Sequence, residues 1–136
     1  MSSERGSITL WAMGMSLLLF AVGFLSLDLW SGFSARQQAA AIADAAAVAG
    51  ATALDEDAWR SGVLALDPAV AAARAGAAAV SHPGWDESMG VSVVATTQGV
   101  TVSVSRAIPF RFVAGFIPGR VAQIIVSGYA QPAAGG

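Results

Sequence analysis

Few side chains in these 136 residues are of a kind that does chemistry. There is one histidine, His82, and there is no cysteine. A zinc centre draws on several Cys and His ligands, so no metal site is expected. A Ser-His-Asp relay would have to use His82. That residue sits in Ser81-His82-Pro83-Gly84, which stops a helix and offers no nucleophile elbow. The acids Asp55, Glu56, Asp57, Asp86 and Glu87 form two clusters, the raw material for paired acid–base carboxylates. Neighbouring acids at a helix start more simply serve as caps and dipole partners. No glycine loop of the phosphate-binding kind occurs. The sequence therefore carries no catalytic set, and neither an enzyme nor a cofactor is expected.

The elements that would have to position any site are easier to read. Residues 8–27 are twenty residues without a charge, including Trp11, Met13, Met15, Leu17, Leu18, Leu19, Phe20 and Phe24. About twenty apolar residues let a helix cross a hydrocarbon core of roughly 30 Å. An Ala-rich helical pattern follows with no proline, so residues 8–53 are expected to form one helix, roughly 70 Å long. Hydrophobic residues make up 55% of the chain and mean hydropathy is +0.62, which one spanning helix in a short chain explains. The run exceeds the 7–15 residues of a signal-peptide core. Cleavage after Ala35 would place Phe33 where a small residue is needed, so a retained anchor is expected. Arg5 just before the run favours a cytoplasmic N-terminus.

The resulting layout is a cytoplasmic lead (1–7), a transmembrane helix (8–30), its extracytoplasmic continuation (31–54), a small α+β head (55–130) and a tail (131–136). About a hundred residues outside the membrane suffice for one small domain. A net charge of −2 with no basic cluster argues against nucleic acid as a partner.

Asp28 is the first acid after the apolar run, beside Trp30. It marks the lipid boundary or pairs with a partner subunit. Ala39, Ala43, Ala47 and Ala51 recur every fourth position and make a smooth stripe. The stripe suits close approach either by a partner helix or by the chain's own head. Ile42, Ala45, Ala49 and Ala53 line a neighbouring face. Residues 58–66 are expected to form a short helix capped by Asp55 or Asp57. Asp67-Pro68 starts another that runs to about Val80, with Val70, Ala73, Ala77 and Val80 on one face.

After Met89 the period becomes two. Residues 91–96 and 100–105 read as a hairpin about Thr97-Gln98-Gly99. Residues 121–130 read as a third strand with both faces covered. The fold class expected is a membrane-anchored α+β protein: a long N-terminal helix, one or two short helices and a small three-stranded antiparallel sheet, pilin-like in plan. Phe110, Phe112, Phe116 and Ile117 lie between two arginines in a segment too apolar for an ordinary loop. Packing on the sheet accounts for them, and contact with a lipid surface or a partner is the alternative.

Several of these residues also form a pattern. Arg5-Gly6-Ser7, the apolar run, Leu27-Asp28-Leu29, Arg36-Gln37-Gln38 and the segment Ala43-Asp44-Ala45-Ala46-Ala47-Val48-Ala49-Gly50-Ala51 resemble the TadE/TadG-like proteins of the tight-adherence (Tad/Flp, type IVc) pilus system. The resemblance implies a single-pass accessory or assembly protein of the cytoplasmic (inner) membrane, acting in a Tad-type pilus or related secretion apparatus. Its partners would be other pilus or secretion subunits, membrane lipid and further copies of itself. Asp28, Gln38, Ala39, Ala43, Asp44, Ala47, Gly50 and Ala51 would be the motif and partner-helix positions. Minor pilins of this system are cut after a Gly and carry Glu five residues later. If Gly6 is that Gly, the fifth residue is Trp11, which fits the TadG-like branch. A minor pilin cleaved after Gly6 is one alternative. A membrane-anchored ligand-binding or lipid-surface module using the aromatic segment is another.

Overall fold

The computed structural model describes residues 2–108 and 122–133. Its first element, α1, is one uninterrupted helix, Ser2–Ala51. With no proline in it, nothing breaks the backbone ladder. The hydroxyls of Ser16, Ser26 and Ser31 each donate to the carbonyl four residues back, at 2.8–2.9 Å, so polar groups in the apolar run are satisfied locally.

Two short helices follow. α2 (Glu56–Arg60) is capped by Asp55, whose carboxylate accepts the amides of Asp57 and Ala58. It is shorter than the 58–66 expected. Gly62, at φ +82°, turns the chain out of the helix, and Leu66 is drawn instead into a bridge with Leu54. There Leu66 is fully buried and its amide donates to Thr97 O at 2.9 Å. α3 (Pro68–Ser81) starts as the Asp67-Pro68 signal predicts: Asp67 accepts the amides of Ala69 and Val70 at 3.0 and 3.2 Å.

The buried face of α3 differs from the expected one. Ala71, Ala75 and Ala79 are fully buried, whereas Val70 and Val80 are exposed. Three alanines spaced by four let α3 lie close against the alanines of α1, and a valine stripe would hold the helices apart.

The sheet has the order β1-β2-β3, all antiparallel: β1 (Gly90–Ala95), β2 (Val100–Ile108) and β3 (Ala122–Ala130). Val100, Val102 and Val104 point inward and are fully buried with Ile42, Ala43, Ala46 and Ala47 of α1 and the alanines of α3. The other face is open, with Val94, Ile125 and Tyr129 exposed, so β3 is covered on one side and not on both.

β2 lies along α1. Val100 approaches Gly50 near the helix end, and Ile108 approaches Gly32 lower down. Eighteen helical residues rise about 27 Å and eight strand residues about 26 Å, so the two elements run side by side at matching rise. β2 therefore points toward the apolar end of α1, while β1 and β3 point away from it.

Candidate functional site

Two halves of α1 present different chemistry. Residues 6–27 are exposed on every side. Within them Gly14 opens a shallow apolar groove lined by Leu10, Met13, Leu17 and Phe20. From Asp28 onward one side of the helix is covered. Asp28 is 5% exposed, the one buried charged residue among those described, and it has an interaction partner.

The stripe of small residues is covered by the chain's own head. Ala39 and Ala43 are fully buried and Ala47 is 1% exposed, all within the core shared with α3 and the sheet. Gly50 shows why size matters there. A Cβ on it would lie 3.0 Å from Ala71 O, 3.0 Å from Ala75 Cβ and 3.1 Å from Val100 Cγ1. Ala51, the last residue of α1, is half-buried, while Asp44 is exposed on the flank of the helix with Ala41, Ala45 and Val48.

Gln38 ties three elements together. Its Nε2 donates to Gly84 O at 3.0 Å, and its Oε1 accepts from the guanidinium of Arg106 on β2. The turn after α3 is shaped to receive it. His82 Nδ1 accepts the Gly84 amide at 3.0 Å, and a Cβ on Gly84 would come within 2.9 Å of Gln38 Nε2. His82 is thus a turn-former. The acids are likewise accounted for locally. Glu56 and Asp57 pair with Arg60 at 3.4 and 3.0 Å through largely solvated side chains, a contact worth little. Asp86 accepts the Ser88 amide at 2.9 Å. That bond, then one from the Ser88 hydroxyl, holds the Asp86 carboxyl below the usual range, helped by the charge of Arg106. Among the described residues no three His, Asp or Glu side chains converge as metal ligands would.

Gly6 lies exposed within the first turns of α1 with open space around it. Phe110, Phe112, Phe116 and Ile117 fall outside the described residues. Sequence reasoning missed Arg106, Gly84 and Gly128. A glycine inside a strand pattern signals close backbone approach, and that signal was present at Gly128.

The segment carrying Gln38, the buried alanines and Gly50 is also the one that known proteins share. Residues 6–53 match the family model of the Flp pilus-assembly TadE/G-like proteins (Tad). This segment is similar to that family. The match ends two residues beyond α1, at Ala53, so it covers the apolar half of the helix and the half under the head alike. No curated protein and no solved structure matches the chain. The matched family is one of pilus assembly, and the match spans 48 of the 136 residues.

Proposed function

We propose that this chain is a single-pass accessory or assembly protein of a Tad-type pilus or a related secretion apparatus. It acts by contact and not by catalysis. The observation that carries the proposal is α1 itself. Its first half is apolar and bare on all sides, as a lipid-facing or helix-facing span must be, and its second half is roofed by a compact head. Trp11 and Trp30 are both exposed and stand nineteen residues apart, about 28 Å along a helix. That spacing matches a hydrocarbon core, and Trp favours both of its surfaces. With Arg5 on the near side, the N-terminus is cytoplasmic and the head extracytoplasmic.

Partner contacts in this reading use what the head leaves free: the groove at Gly14 within the membrane, and the outer flank of α1 at Ala45 and Val48 above it. Intact mass of the protein extracted from its native membrane tests the proposal. A chain that begins at Met1 or Ser2 fits a permanent anchor. A chain that begins at Ser7 establishes processing after Gly6 and the minor-pilin role instead.

A further inference from the structure

Among the described residues, neither edge strand carries within itself the features that stop further pairing. β1 and β3 contain no charged residue and no proline, and each keeps one-to-one register with β2 without a bulge. Charges, prolines and bulges are the devices by which a strand blunts its own edge. Burial marks the same edges as unfinished. The inward valines of β2 are fully buried, yet Val91 and Val93 on β1 and Ile124 and Val126 on β3 are only half-buried. A further strand at either edge would cover them.

Strand direction selects the occupant. β1 and β3 both run away from the apolar end of α1, as the pairing with β2 requires. Copies anchored in one membrane share that direction. Antiparallel pairing of β3 with another β3 would turn one α1 over and lift its apolar half out of the bilayer. A twofold axis along the membrane normal would set each β3 amide opposite the same amide of the other copy, where a carbonyl is needed. β3 against the β1 of a neighbour has neither fault. We infer that β3 of one copy pairs in parallel with β1 of a second copy, extending the sheet from chain to chain. The inference rests on the membrane anchoring proposed above.

The chain has no cysteine, so engineered pairs report cleanly. Ser92, Ser103 and Ser127 form one row across the strands, with Ser92 and Ser127 exposed. Two strand spacings, about 9.6 Å, separate Ser92 from Ser127 within a chain, beyond the roughly 7 Å Cα limit of a disulfide. Any disulfide between them joins two chains. S92C is combined in turn with I125C, S127C and Y129C to cover the axial register. Full-length variants in native membranes are oxidised with copper–phenanthroline and resolved without reductant. At least one double variant is expected to give dimers, trimers and larger species, while the single variants stay monomeric. Mixed S92C and partner-cysteine chains should stop at dimers. Monomers throughout the panel, or single variants that cross-link as strongly as the doubles, overturn the inference. Fractionation before oxidation separates the two readings. Protein in the soluble fraction overturns the anchoring, whereas monomers in the membrane fraction overturn the pairing alone.

Discussion

Gly128 of β3 lies directly on the backbone of Ala43 in α1. A Cβ at Gly128 would come within 2.6 Å of the Ala43 carbonyl carbon and 2.7 Å of its oxygen. Strand and helix therefore touch main chain to main chain, and both residues must be small. A side chain on Gly128 would push the edge strand off the helix.

Gly128→Ala is accordingly expected to destabilise the head by about 1–3 kcal/mol, the usual cost of overpacking. Gly50→Ala should cost less. Its contacts are looser, at 3.0–3.1 Å, and alanine is the better helix former. Thermal unfolding in detergent micelles, followed by near-UV circular dichroism, ranks the two. A Gly128→Ala variant as stable as the parent would refute the close contact.

Ala43→Leu and Ala47→Leu probe folding, because both positions are buried in the chain's own core. Each should lower stability by about 1–3 kcal/mol and reduce accumulation of the protein. Val48→Arg is the informative contrast, since Val48 is 61% exposed on the outer flank. That variant should accumulate normally and fail to co-purify with other pilus subunits. Normal co-purification would remove the outer flank from the proposed contact.

The Gln38–Arg106 bond should show as coupling. At this solvent-exposed junction Gln38→Ala loses two hydrogen bonds and Arg106→Ala one, at a cost of about 1 kcal/mol per bond. The double variant should cost clearly less than the sum of the singles. Strict additivity in urea unfolding would mean that the bond contributes nothing.

Asp86 gives the head a small dependence on pH. Its folded pKa lies below the ordinary value near 3.8, so between the two values the unfolded chain binds the extra proton and stability rises with pH. The contribution is complete above the ordinary carboxylate range and is lost as pH falls through the lower, folded value. A carboxyl NMR titration should place the Asp86 midpoint below that of a free Asp, and Ser88→Ala should raise it part of the way. A midpoint at or above the free value would contradict the hydrogen-bonded turn.

Local rules made much of the architecture legible. Twenty uncharged residues, an unbroken alanine pattern, the Asp67-Pro68 start and the alternation of Val100, Val102 and Val104 each specify an element through backbone physics close in sequence. The resemblance of residues 5–51 to the TadE/TadG-like proteins was legible for a related reason. Its motif is a run of small residues on one helix, and the family match over residues 6–53 covers that run.

Which faces meet was a different matter. Alanine and glycine carry almost no directional signal, so periodicity alone could not tell whether Ala39, Ala43 and Ala47 faced a partner or the head, nor that α3 would turn its alanines inward and its valines out. The partners are remote in sequence: Gly128 lies 85 residues from Ala43, and Arg106 lies 68 from Gln38. Sequence determined the membrane-length helix, the caps and the strands, because those depend on neighbours along the chain. Tertiary structure alone decided that Ala39, Ala43, Ala47 and Gly50 pack in the chain's own core, because close packing selects for the space left between elements and not for any residue's own preference.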